Sequence, residues 1–260
     1  MTRVAKHRHA VDTGYARGEE TRARIVVAAL RMFGERGFEA ASTRDIATAA
    51  GVNAPALQYY FDNKEGLYLA CVEHIVKRVW EYLADSVAAA ERAVADNKSD
   101  AELIDAYCTI QEVQAHFMFT SDEAGDWRLF MARLQSGEGP EAGFQCIHQQ
   151  VSARMIKVLS TIVGRMLGRA PDDEETLVRT MMLSGHLHAF HSVRKSVLSK
   201  LNWDTFDANR LALLKRVIRE HISALLRSMA KTRDSVPTVH AMHAKRATAR
   251  TKKKTVAIRH

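Results

Sequence analysis

TRDIATAAGVNAPALQYYF, residues 43–61, decides the fold of this chain. Ser42 and Thr43 open a helix in which Ser42-x-x-Asp45 has the form of a capping box, hydroxyl and carboxylate each satisfying a free N–H. Ile46, Ala47 and Ala50 give that helix a small apolar face. Gly51, which adopts positive φ without a Cβ penalty, turns the corner, and Asn53 caps a further short helix. Val52 and Leu57 hold the two positions of a hydrophobic staple, which sets the angle at which that helix enters. Two short helices meeting across a tight turn are a helix-turn-helix. Leu57 and Phe61 turn to one side, toward Ile46, Ala47 and Phe33, while Ala54 with Gln58 and Pro55 with Tyr59 face outward. From Gly51 to Phe61 there is no Lys, Arg, Asp or Glu, so the part best placed to enter a DNA groove is uncharged.

Apolar residues recur at spacings of three and four through nearly every segment from Glu19 to Met229, and no alternating strand of useful length appears. Ile25, Ala28, Ala29, Met32 and Phe33 make one stripe, which Gly34 and Gly37 are expected to end. A long helix is expected from near Asn63 to about Ala95, striped by Leu67, Cys71, Val72, Ile75, Val79, Leu83 and Val87. Further helices are expected at roughly 100–119, 126–135, 144–168, 173–200 and 207–229. SGEGPEAG (136–143), RAPDD (169–173) and Asn202-Trp203-Asp204 break them apart. The fold class is all-α, an N-terminal three-helix head with a helix-turn-helix followed by a larger helical bundle.

The net charge of +8 belongs to the ends of the chain. Residues 231–260 carry nine Lys/Arg against one Asp, whereas residues 25–230 carry 23 basic and 26 acidic side chains. Such ends are solvated extensions, loose phosphate-binding arms, or both. No apolar run reaches the roughly 18–20 residues of a membrane span, and the opening lacks the apolar core of a secretory signal. Cys71, Cys108 and Cys146 stand alone with no C-x-x-C pair, which argues against a disulfide scaffold or zinc knuckle and fits a reducing, cytoplasmic setting.

The head resembles the TetR family of bacterial transcription regulators. The likeness rests on an ordered series: Arg22-x-x-Ile25-x-x-Ala28-Ala29-Leu30-x-x-Phe33, then Gly37-Phe38-x-x-x-Ser42-Thr43-Arg44-Asp45-Ile46-Ala47-x-x-Ala50-Gly51-Val52, then Leu57-x-x-Tyr60-Phe61-x-Asn63-Lys64-Glu65-Gly66-Leu67. Farther on, MMLSGHLHAFHSVRKSVLSKLNW (181–203) and REHISALL (219–226) are similar to the C-terminal domain of the CecR-like branch. The resemblance implies a DNA-binding domain at 19–66 and a ligand-binding and dimerisation domain at 67–230, with disordered basic segments at 1–18 and 231–260. It implies a recognition helix from Asn53 to Tyr60, a phosphate-binding Lys64, a backbone-touching Tyr60, and Thr43 and Arg44 at the start of the preceding helix. Helix N-termini carry partial positive charge and free N–H groups, so these starts suit phosphate. Many members have a polar residue at the position of Ala54, Thr at that of Ala56 and Tyr at that of Gln58. The Gln58 amide instead suits adenine, and Ala54 and Pro55 suit thymine methyls, leaving Ala54, Pro55, Gln58 and Tyr59 as the base-reading set.

The implied function is a ligand-responsive, sequence-specific regulator, most simply a repressor, that binds a palindromic double-stranded DNA operator as a homodimer. The dimer faces expected are Leu177, Met181, Met182, Gly185 and Phe190 on one helix, and Leu211, Leu214, Val217, Ile218, Ile222, Leu225 and Leu226 on the last. Phe117, Met118, Phe119, Trp127, Phe130 and Met131 are either a small-molecule pocket or ordinary core. His186, His188 and His191 lack a completing Cys or carboxylate, as Glu112 and His116 lack a third ligand, so no metal site is expected. No cofactor motif, membrane partner or nucleophile with a positioned base is read, and the chain is expected not to be an enzyme. The competing reading is a low-specificity architectural DNA binder working through its Lys/Arg tail.

Overall fold

A computed structural model describes the backbone of residues 5–235 and the side chains of residues 17–235 other than 122–126. Residues 1–4 of the expected arm and 236–260 of the expected tail lie outside the described residues. Among the described residues all regular structure is helical. The head comprises α1 (Ala5–Ala40), α2 (Thr43–Ala49) and α3 (Ala54–Tyr60), and the chain then enters α4 (Lys64–Ala95). The body adds α5 (Asp100–Thr120), α6 (Asp122–Gln135), α7 (Glu141–Ile147), a π-helical turn (His148–Ser152), α8 (Ala153–Leu167), α9 (Glu174–Ser192), α10 (Arg194–Leu201) and α11 (Ala208–Ser235).

In α1 the helix is continuous from Ala5, where an arm without structure was expected over 1–18, and it runs on past its expected stop at Gly34. Gly34 is an approach point: a Cβ there would meet the Phe130 backbone nitrogen at 3.0 Å and the Leu129 Cβ at 3.3 Å. Packing of α6 against α1 outweighs the roughly 1 kcal/mol by which Gly disfavours a helix interior. The break comes at Gly37, with φ 80° and ψ 168°, a conformation open to glycine alone at low cost. The Ser42 hydroxyl accepts from Asp45 N–H at 3.0 Å, but the reciprocal half of the expected box is diverted, because Asp45 accepts from Arg36 at 3.0 Å. A complete capping box forms instead at Ser99 and Glu102, opening α5.

The π turn interrupts the helix expected over 144–168, and Val193 divides the one expected over 173–200. At Val193 the chain turns so that Arg194 lies over the Phe206 ring, 4.8 Å from its centroid, and donates to the Phe119 carbonyl at 3.5 Å. One hydrophobic cluster unites the head with the near ends of α4 and α6: Phe33, Ile46, Leu57, Phe61, Leu67, Cys71, Phe130 and Leu134 belong to it. A second fills the body between α4, α5, α8 and α11. Polar staples pin this far end, where Arg219 pairs with Glu112 at 3.0 Å, and Arg233 donates to Asp100 at 2.8 Å and to the Arg165 carbonyl at 2.7 Å. Glu112 is thereby committed to α11.

Candidate nucleic-acid interface and internal cavity

The head presents its second and third helices as the sequence suggested. Gly51 has φ 68° and nothing within 4 Å of where its Cβ would lie, so the turn needs its backbone freedom alone. Asn53 Oδ1 accepts from Ala56 N–H at 2.8 Å, and Pro55 sits in the first turn, where its missing N–H costs nothing. Leu57 is buried at 1% exposure, and Val52 packs on the same cluster. The opposite face of α3 is open: Ala54, Pro55, Gln58 and Tyr59 are exposed, Tyr59 at 84%. Beyond an edge-on contact with Tyr60, the Tyr59 ring stands in solvent, open to a partner surface.

The expected phosphate contacts divide into two kinds. Arg44 and Asn53 are exposed, and Thr43 is half-buried at the start of α2. Lys64 is already engaged, donating to the Glu39 carbonyl at 3.0 Å with its ammonium 4.5 Å from the Phe38 ring centroid. Its two other N–H bonds remain for an anion. Asn63 caps α4 beside it, its side chain accepting from Gly66 N–H at 2.7 Å. Tyr60 is half-buried, edge-on to Tyr59 at 5.2 Å between centroids, and its hydroxyl lies 3.8 Å from the Cβ position of Gly18 on α1.

The body holds an open-sided cavity of about 380 Å³ lined from α4 through α9. Ile75, Val79, Phe117, Trp127, Met131 and Leu159 give it a long apolar wall. Phe117, Met118, Trp127 and Met131 of the six residues weighed as pocket or core do line it; Phe130 belongs to the head cluster, and Phe119 stacks on Phe206 at 4.5 Å in a third cluster. The π turn supplies His148, Val151 and Ser152, and the Gln150 carbonyl in it accepts from the Trp80 indole N–H at 2.9 Å. Extra helical turns of this kind recur at functional sites.

Much of the cavity's polar lining runs along α9, and of it sequence reading weighs only His188 and His191, as metal ligands. Gln111, His188 and His191 line the cavity together with Arg128, Thr180 and Ser184. Gln111 and His191, at 1% and 7% exposure, each bear a buried ring or amide nitrogen, Nε2 in both, without a hydrogen-bond partner. Burial pulls the His191 pKa down to about 4, with Arg194, Arg128 and His188 adding to the effect against a hydrogen bond to the Met118 backbone. The ring is therefore neutral at pH 7. Of the three histidines weighed as metal ligands, His186 points away from the cavity lining, and the described residues contain no cluster of His, Cys, Asp or Glu able to hold a metal.

α6 joins the two sites. Trp127, Arg128 and Met131 line the cavity, while Phe130 and Leu134 sit in the head cluster. Arg133 reaches across to α1, donating from Nε to the Gly34 carbonyl at 2.9 Å and from a guanidinium nitrogen to the Glu35 carbonyl at 3.4 Å. Glu138 holds the same guanidinium at 2.6 Å.

On the faces expected to form a dimer, Met181 and Met182 on α9 are 55% and 66% exposed, and Val178 beside them is 50% exposed. Leu225 on α11 is also exposed. Leu211, Ile222 and Leu226 are not available, because they are buried in this chain's own core. Helical periodicity marks a stripe as apolar without saying which wall it meets. Among the described residues no helix is long and apolar enough to cross a membrane.

The comparisons with known proteins agree with this division. Residues 25–71 match the model for bacterial regulatory proteins of the tetR family, and residues 103–229 match that for the C-terminal domain of the HTH-type transcriptional dual regulator CecR. The CecR protein of Shigella flexneri is 29% identical over 83% of this chain and 95% of its own length. Among solved structures, a TetR-family transcriptional regulator from Bordetella parapertussis superposes with a TM-score of 0.55 at 17% identity, over 77% of this chain and 93% of that one. AibR, in complex with isovaleryl coenzyme A and operator DNA, gives 0.53 at 14% identity over 80% and 98%. With both of its parts matched in order, the chain belongs to the TetR family and is a transcriptional regulator of that type, with a C-terminal domain of the CecR kind.

Proposed function

We propose that this regulator is a ligand-responsive repressor that reads a palindromic operator as a homodimer. The observation that carries it is the face of α3, uncharged and exposed around Tyr59, with Arg44 and Lys64 at the adjacent helix starts. In this reading residues 19–66 are the DNA-binding domain and residues 67–230 the ligand-binding and dimerisation domain. Thr43, Arg44, Tyr60 and Lys64 meet phosphates and fix register, with Asn53 at the cap, while Ala54, Pro55, Gln58 and Tyr59 meet base edges. Single heads of this size bind weakly, and a two-fold dimer places two of them on half-sites a helical turn or a multiple apart. The exposed Val178, Met181 and Met182 with Leu225 support a second copy as the partner.

The effector belongs in the cavity. AibR carries isovaleryl coenzyme A and operator DNA in one complex, so the same fold elsewhere serves both kinds of partner. Here the middle of α4 lies in the cavity wall and its N-terminal part in the head cluster, while α6 turns one face to each, so a ligand that spreads them changes the spacing of two heads.

Selection of bound fragments from genomic DNA with the full chain tests the reading. A palindromic consensus is expected, with Gln58→Ala losing about 1–3 kcal/mol of discrimination at one or two base pairs. An unchanged preference in Gln58→Ala removes that residue from the reading set. Removal of residues 231–260 is expected to lower affinity and its salt dependence while keeping the consensus. Loss of all binding on that truncation would instead favour the architectural reading.

A further inference from the structure

The polar groups of the cavity lining have a chemical bias. Every polar group there that lacks a partner is a donor or can become one, and none of the residues lining the cavity is Asp or Glu. Arg128 on α6 lines the cavity, and among the described residues its guanidinium makes no hydrogen bond or ion pair. Gln111 also lines the cavity, and its unpartnered amide nitrogen is sealed within the wall, in a side chain that is 1% exposed. His191 leaves Nε2 bare while its ring is bonded to the Met118 backbone, so the proton of the neutral ring is on Nδ1. The groups acting on that ring are all basic: Arg128, Arg194 and His188. No acidic side chain in the lining neutralises the Arg128 guanidinium, and an anionic ligand supplies that counter-charge.

We propose that the effector is an amphipathic monocarboxylate, its apolar body against Ile75, Val79, Phe117 and Trp127 and its carboxylate taken by Arg128. This rests on the reading that the cavity is the effector site. His191, on whose ring Arg128 already acts, takes up a proton from solvent as the anion arrives and offsets its charge from within the wall. A volume of about 380 Å³ is at the small end of the roughly 300–1,000 Å³ of ligand pockets, which suits a free acid better than a bulky conjugate. The choice of anchor matters for signalling. Arg128 stands five residues before Arg133 on one helix, so a pull on the first is delivered to the second, which holds the α1 carbonyls.

The test is calorimetric binding of matched probes to the full chain: octanoate against octanamide, phenylacetate against phenylacetamide, and octanoyl coenzyme A. Each acid is expected to bind roughly ten- to a hundredfold tighter than its amide, the range for a charge-assisted hydrogen bond. Arg128→Gln is expected to erase that ratio, the acids losing far more affinity than the amides. Heat measured in buffers of different ionisation enthalpy should show proton uptake with the acids, absent in His191→Phe. Amides that match the acids, a ratio that survives Arg128→Gln, or octanoyl coenzyme A binding better than octanoate would each overturn the proposal while leaving the cavity reading intact. Ile156→Trp, which fills the cavity from its wall, separates the two claims. If acids still bind that variant, the cavity reading falls and this inference with it; if no probe binds the parent chain, this inference alone falls.

Discussion

The head and the cavity leave opposite things unfinished. In the head every polar cap is satisfied and the core is closed, but an apolar and aromatic face stands in water around Tyr59. In the body the apolar wall is buried, and it is polar atoms, on Gln111 and His191, that lack partners. The first arrangement awaits a large surface with its own charges outside; the second awaits a small molecule that brings a few polar atoms inside. Because the lack is exterior in one case and interior in the other, substitutions at the two sites should separate cleanly into binding effects and folding effects.

α3 itself offers the strongest contrast. Leu57→Ala empties a fully buried position and is expected to cost about 2–5 kcal/mol in urea unfolding, taking DNA binding with it. Tyr59→Ala, on the opposite face, should leave stability within about 0.5 kcal/mol while weakening DNA binding. Equal losses of stability from the two would erase the distinction between structural and reading faces. Arg133→Met comes next. It leaves the Gly34 carbonyl without its donor and should destabilise by about 1–3 kcal/mol. A more telling measurement is whether effector still shifts operator affinity in that variant; full retention would show that the signal bypasses the bridge from α6 to α1.

A further contrast is a pH dependence. His191 ionises near 4 when folded, below its ordinary 6.5, so between those values the unfolded chain binds more protons. Its contribution to stability is therefore complete above 6.5 and is lost as pH falls from 6.5 toward 4. His191→Phe should flatten the dependence of unfolding free energy on pH in that window, and an unaltered slope would assign it to other groups.

Much of the head was legible because its signals are local. A cap, a staple and a glycine corner are each written within a few residues, and Gly51, Asn53 and Leu57 take the conformations their positions imply. What misled was what came from elsewhere in the chain. Asp45 has the spacing of a capping box, but Arg36, nine residues earlier, claims its carboxylate. Gly34 has the composition of a helix stop, but α6, nearly a hundred residues later, needs the space its side chain would fill. The cavity was half visible for the same reason: Phe117 and Trp127 mark an apolar region, while Gln111, Arg128 and His191 meet only once three helices are packed.

The π turn at His148–Ser152 has a consequence for how this wall can change. A π turn takes up one extra residue locally, so the helical surfaces before and after it keep a common face. Phe144 and Ile147 before the turn, and Met155 and Leu159 after it, all line the cavity. Deleting a single residue such as Gln149 is expected to straighten the helix and leave those four on the wall, displacing only the turn's own His148, Val151 and Ser152. One short segment can thus alter part of the lining while the apolar frame on either side stays in place.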